Sequence, residues 1–240
     1  MDTIYDSLQA IQANIAHAKA AANRTDAITL LAVSKAQSAE KIRTAYLAGQ
    51  RTFGENYVQE AINKQELLKD LAKDLSIKWH FIGPIQSNKT QLIAQHFAWV
   101  HSVDRLKIAQ RLNEARPANM PPLNVCIQIN SSEEGSKSGV DIVSQSMLAK
   151  AISAMPNLKL RGLMAIPAPT KELAKQRAQF KIVADAFKTL QQQGFALDTL
   201  SIGMSDDYVA AIHEGATIVR IGSALFGLRN LGHTNLKESN

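Results

Sequence analysis

The 240-residue chain has one cysteine, Cys126. An intramolecular disulfide is therefore excluded, which suits a reducing compartment such as the cytoplasm. Cys126 lies mid-strand in VCIQ and is read as a small buried hydrophobe. Long apolar runs are missing too. The opening segment, MDTIYDSLQAIQANIAHAKAA, carries an acid at position 2 and no continuous apolar core, so neither a signal peptide nor a membrane span is expected. In a cytoplasmic chain the tripeptides NRT, NKT and NSS are chance sequons. Basic runs are also absent. The net charge is +6, but acids interleave with the lysines, as in NKQELLKDLAKDL, which reads as a solvated surface. No nucleic acid is expected as a partner. The positive excess suits a small anionic ligand instead. The six histidines never fall at HxxxH or HExxH spacing, so no metal site is expected. GSKSG (135–139) lacks the upstream glycine and the ending of a phosphate-binding P-loop. No linker, low-complexity segment or 20–50-residue repeat divides the chain, so residues 1–240 are read as one domain.

What is present is alternation. Residues 1–24 read as an amphipathic helix with Ile4, Leu8, Ile11 and Ile15 on one face, packed on the domain. Strand-like runs then recur eight times, at 28–34, 52–55, 78–83, 99–103, 124–130, 159–166, 199–204 and 217–222. Segments with a 3.6-residue period lie between them, at 39–49, 87–97, 103–115, 144–155 and 171–194. Strands alternating with helices imply a parallel sheet covered by helices. Eight such units in 240 residues match a (β/α)8 TIM barrel with an extra N-terminal helix. A doubly wound open sheet is the runner-up. It usually carries a glycine-rich turn after its first strand, and here that turn is SKAQS. Residues 230–240 read as a C-terminal tail. In GPIQSNK, Ser87 reads as a helix N-cap.

Catalytic and binding groups of such barrels gather at the C-terminal ends of the strands. Those ends hold Lys35, Glu55, Asn56, His80, Asn130, Met164, Met204, Ser205 and the run Arg220 to Ser223. Lys35 closes LLAVSK. An amine beside apolar residues loses solvation, which lowers its pKa and frees it to attack carbonyl groups. An ion pair with Glu55 is the competing reading. The last two strand ends favour the first. SIGMSDD (201–207) and RIGSALFG (220–227) place glycine and serine at consecutive strand-to-helix turns, where this fold often holds a phosphate. Gly222 allows close backbone approach, and Ser205 and Ser223 add hydroxyl donors. Helix capping by Ser205 explains SDD but not the pair. A carbonyl-trapping lysine beside a phosphate cup points to a phosphorylated aldehyde, foremost pyridoxal phosphate. Arg220 would then donate to its pyridine nitrogen and keep that nitrogen unprotonated. The ring would be a weak electron sink.

The strings AVSK, FGENYVQEA, WHFIGPIQSNK, HSVDRLKIAQRL, PPLNVCIQIN, SKSG, LRGLMAIPAP, GMSDD and VRIGSALFG, spread from Leu30 to Arg229, resemble the pyridoxal-phosphate-binding homeostasis proteins. This is the single-barrel family related to the N-terminal domain of alanine racemase. The resemblance implies that Lys35 forms a Schiff base with pyridoxal 5'-phosphate and that Asn56 lies beside the ring. It further implies that Arg220 meets the pyridine nitrogen, that Met204 lines the pocket, and that Ser205, Gly222 and Ser223 hold the phosphate. It implies a protein that buffers or delivers the cofactor, influencing amino-acid and keto-acid pools, without efficient catalysis of its own. The chain departs from the family in AVSKAQS, where Gln37 replaces a second lysine of the usual T-K-P.

His80 and Lys137 are accessory candidates. His80, beside Trp79, is weighed between packing and ligand contact at the barrel mouth. Lys137, in the polar loop SSEEGSKSGV, could relay the cofactor from Lys35; Lys41 and Lys89 sit on helical segments expected to face outward. Apo forms of pyridoxal-phosphate enzymes are the expected acceptors, and a cytoplasmic monomer is expected. Two rivals stand. One is a pyridoxal-phosphate amino-acid racemase, disfavoured because the sequence runs only to HTNLKESN after the eighth strand, with no room for a second domain. The other is a cofactor-free barrel aldolase using Lys35.

Overall fold

The computed structural model describes residues 3–73, 77–130 and 139–227. Eight strands are formed: β1 (Thr29–Val33), β2 (Thr52–Glu55), β3 (Lys78–Phe81), β4 (Trp99–Val103), β5 (Leu123–Ile129), β6 (Leu158–Ala165), β7 (Thr199–Met204) and β8 (Ile218–Ile221). They close in chain order into a barrel of parallel pairs, with β8 returning to β1 through Leu31 opposite Arg220. The expected (β/α)8 barrel is the fold that forms, and the open sheet is not.

The helices cover the outside: α1 (Ile4–Ala21), α2 (Ala39–Leu47), α3 (Val58–Leu67), α4 (Thr90–His96), α5 (Leu106–Ala115), α6 (Gln145–Ser153), α7 (Leu173–Gln192), α8 (Tyr208–His213) and the single turn α9 (Ser223–Phe226). The extra helix α1 starts from a reciprocal cap between Thr3 and Asp6. Its expected apolar stripe buries Leu8, Ile11 and Ile15, each contributing about 1.5–3 kcal/mol. Ile4 is only partly buried. Phe53, Phe81, Phe97 and Phe180 fill the layer around the barrel.

Three details depart from the sequence expectations. Lys35 does not end the first strand. The β1 ladder stops at Val33 and Ser34 gives a last N–H to the Gly54 carbonyl, because Ala36 turns the chain with a left-handed φ of 58°. Ser87 caps nothing with its hydroxyl. It opens a 3-10 turn, and its carbonyl accepts from Thr90 and Arg111. Helix α3 was not anticipated, and its Lys64 lies in a stretch read as solvated although it is 5% exposed.

Candidate functional site

Successive strand residues point to opposite sides of a barrel wall, so the outer and inner faces at the strand ends can be separated. On the outer face, behind Lys35, the Lys64 ammonium donates to the Ser34 carbonyl at 2.7 Å, to Glu55 Oε1 at 2.8 Å and to Glu60. Ser34 Oγ donates to the same Glu55 oxygen at 2.7 Å, and the Ala36 N–H donates to Glu60 Oε1, also at 2.7 Å. This charged cluster grips the residue on each side of Lys35. It also disposes of the alternative in which Lys35 pairs with Glu55, since Lys64 is the cation on that carboxylate. Glu55 is fully buried and its second oxygen has no partner, so burial raises its pKa despite Lys64 and Ser34.

With the strand ends so held, Lys35 faces a cavity of about 240 Å3 at the C-terminal mouth. Val33, Ile82 and Ile166 form apolar walls. The polar lining is Asn56, Ser205, Asp206, Arg220 and Ser223, with Met204 and Gly222 completing it. Seven residues singled out in the sequence therefore converge on one cavity: Lys35, Asn56, Met204, Ser205, Arg220, Gly222 and Ser223. Asp206 is an addition to that set.

Two glycines make the geometry possible. A Cβ on Gly83 would sit 2.3 Å from the Asn56 carbonyl oxygen, so glycine there lets the turn after β3 press against Asn56. Gly83 was readable only as part of a Gly-Pro turn. A Cβ on Gly222 would sit 3.1 Å from the Val33 oxygen. Gly222 thereby lets the phosphate-cup candidate lie close to β1. Ser205 is not the cap of α8. Asp207 holds that position, accepting from the Met204 N–H, and its pKa is raised chiefly by burial.

Arg220 is 4% exposed and its guanidinium is fixed from two sides. Nη1 donates to the carbonyl and, at 2.9 Å, to the hydroxyl of Ser201. Nη2 donates to the Ala165 carbonyl at 2.9 Å. Burial lowers its pKa to about 10, so it remains a cation and a pure donor near neutrality.

His80 follows the packing reading rather than the ligand-contact one. It is not in the cavity lining. Its ring is stacked on Trp99, with planes 4° apart, and Nδ1 lies 2.9 Å from His101 Nε2 inside the barrel. Strand β3 ends at Phe81, and the next inward residue, Ile82, takes the position at the mouth. Lys137 lies outside the described residues. Lys41 does not face outward as expected: its ammonium donates to Gln37 Oε1 at 2.8 Å and to the Phe226 carbonyl at 2.9 Å, tying α2 to α9.

The residues fit pyridoxal phosphate. The cavity is smaller than the roughly 300–1,000 Å3 of drug-sized sites, which favours a compact ligand. It offers an amine, hydroxyls beside a close-approach glycine, and a fixed cationic donor. The buried Asn56 Oδ1 has no hydrogen-bond partner among the described residues. An acceptor left so is a place for a ligand's donor.

The family described as "Alanine racemase, N-terminal domain" matches residues 7–230. The pyridoxal phosphate homeostasis protein of Pseudomonas aeruginosa is 57% identical over 233 residues, covering 97% of this chain and 98% of that protein. The protein of the same name in Escherichia coli K12 is 50% identical over 231 residues, with 96% and 98% covered. Among solved structures, PipY of Synechococcus elongatus PCC7942 with pyridoxal phosphate bound is 36% identical, with a TM-score of 0.81, covering 94% of this chain and all of that one. Alanine racemase from Corynebacterium glutamicum shares the fold alone, at 21% identity and a TM-score of 0.65, and this chain spans 62% of it.

Proposed function

The chain belongs to the alanine racemase N-terminal domain family, and from that premise we propose that it binds pyridoxal 5'-phosphate and buffers or delivers it, without efficient catalysis of its own. The convergence of Lys35, Arg220 and the Ser205, Gly222 and Ser223 cup on one cavity carries this reading. The names of its relatives support it.

When bound, the cofactor supplies an aldehyde to which primary amines add reversibly. Lys35 provides the amine that holds it. Ser205, Ser223 and the backbone at Gly222 bind the phosphate, and α9 begins at Ser223, where the first helical N–H groups have no intrahelical acceptor. Asn56 accepts from the ring's donor side, and Met204 closes the edge. Arg220 gives the ring nitrogen a donor and never a proton acceptor. A ring kept unprotonated accepts carbanion charge weakly, which favours holding over turnover. By the family's T-K-P pattern Gln37 stands in place of a lysine, so accessory trapping there falls to other amines, Lys137 among them. Apo-enzymes that need the cofactor are the acceptors, and a cytoplasmic monomer is the form that serves them.

The test is an absorption spectrum of the purified protein with pyridoxal phosphate, before and after borohydride, followed by peptide mass spectrometry. A visible band bleached by reduction, with the adduct on Lys35, is expected. An adduct chiefly elsewhere, with Lys35→Ala still coloured, would refute the attachment. Turnover of an amino acid at ordinary enzyme rates, about 1–1,000 per second, would replace the carrier by an enzyme.

A further inference from the structure

The barrel interior below the cavity holds a line of polar side chains that binding alone does not use. From Arg220 Nη1 the line passes to Ser201 Oγ at 2.9 Å, from Ser201 Oγ to His101 Nδ1 at 2.8 Å, and from His101 Nε2 to His80 Nδ1 at 2.9 Å. It joins β8, β7, β4 and β3. Contact between side chains of β4 and β7, which are not neighbours in the sheet, is possible only through the interior. All four residues are at most 4% exposed.

The direction of the line follows from its end. Arg220 can only donate, so Ser201 Oγ accepts from it. The Ser201 hydroxyl proton then has His101 Nδ1 as its acceptor. His101 consequently carries its proton on Nε2 and donates to His80 Nδ1, and His80 carries its proton on Nε2. Run this way, the chain leaves one group without a partner, His80 Nε2, which is the ring atom that finds none among the described residues. Run the other way, it would leave both that atom and the Ser201 proton unmatched. Electrostatics agrees: the forward direction turns lone pairs toward the cation. Burial holds both imidazoles neutral, lowering His80 to about 3 and His101 well below its usual value.

Resting on the cofactor reading above, we propose that His101 is a positioning residue for Arg220: through Ser201 it fixes the guanidinium as a donor aimed at the cofactor's ring nitrogen, with His80 anchoring His101 from below. The chain is one-way, so Arg220 always meets acceptors on its inner side and spends no N–H on competing orientations. The cavity thereby selects a phosphorylated aldehyde whose ring carries an unprotonated nitrogen.

Two measurements test this. The first compares dissociation constants for pyridoxal phosphate and for its deaza analogue, in which C–H replaces the ring nitrogen. The parent protein should prefer pyridoxal phosphate by about tenfold or more, the range of a hydrogen bond from a charged donor. His101→Leu and Ser201→Ala should bring the ratio to within about threefold of unity. Val183→Ala, a buried change on α7 outside the barrel interior, should keep the parent ratio. A parent-like ratio in either chain variant, or equal weakening toward both compounds, overturns the proposal. If His101→Leu does not fold, Ser201→Ala decides. The second is imidazole nitrogen NMR on the protein without cofactor. Neutral, Nε2-protonated rings at both His80 and His101 are expected at pH 7. A ring protonated on Nδ1, or an imidazolium, overturns the chain. Failure to bind pyridoxal phosphate at all would instead sink the cofactor reading, and the ring tautomers still decide the chain.

Discussion

The two faces of the barrel wall bury polar groups in opposite ways. Outside, between the sheet and α3, Lys64 is shared by Glu55 and Glu60, so opposite charges sit together. Inside, Arg220 has no carboxylate in direct contact among the described residues; carbonyls and a serine hydroxyl surround it, and neutral imidazoles follow. A cation that must only hold the backbone can be neutralised by pairing. A cation that presents itself to a ligand, the role proposed for Arg220, cannot, because a carboxylate beside it would take the donors and the charge. Dipoles solvate it instead. The outer cluster fixes where Lys35 starts, and the inner chain fixes what it faces.

The largest expected effect breaks the outer side. Lys64→Met leaves Glu55 buried without its cation, and removing one partner of a buried pair costs about 3–5 kcal/mol. Urea unfolding measures it, and Lys64→Met with Glu55→Gln should recover most of the loss. A drop under about 1 kcal/mol would mean that the cluster is not ionised when folded.

Next comes acid. His80 and His101 are neutral in the native state, whereas in the unfolded chain they protonate near pH 6.5. The unfolded state therefore binds more protons, and stability falls as pH drops below 6.5 toward about 3. The slope is up to about 1.4 kcal/mol per pH unit for each ring, or about 2.7 for both. Urea midpoints at pH 6.5 and 5.5 give it, and His101→Leu should halve it. A flat profile would mean that the rings are not buried neutral.

Ser223→Ala should weaken pyridoxal phosphate binding by about 1.5–3 kcal/mol, the worth of a hydrogen bond to a charged group, with the melting temperature unchanged. Unchanged affinity would place the phosphate elsewhere. The smallest effect is at Lys41. Its two hydrogen bonds lie half-buried, and Lys41→Met should lower stability by about 1 kcal/mol. A change several times larger would mean that the α2–α9 tie matters as much as the buried outer cluster.

The barrel and the cavity were legible because both follow local rules. Strand runs alternate with helical ones, and TFGE, WVHSV and TLSIGM form strands over the residues expected. The turns after the last two strands carry glycine and serine at fixed positions. Lys64 was not legible. In NKQELLKDLAKDL every lysine looks equally solvated, and only the phase of α3 puts Lys64 on the face of Val58 and Ala61. His80 could be placed on a strand but not at a depth, since alternation distinguishes inward from outward and says nothing of height. The pairing of His101 with Ser201 spans 100 positions, and no local pattern announces it.

The pairing of β8 with β1 has a consequence for the making of the protein. Leu31 and Arg220 lie opposite one another although almost the whole chain separates them. Lys35 leaves the ribosome well before Arg220 and Ser223. Synthesis runs at about 5–20 residues per second, and a domain folds as a unit. Until then the nascent chain carries the amine without the residues proposed to hold the cofactor's phosphate. In the proposed site, capture therefore waits for β8 to close the barrel against β1.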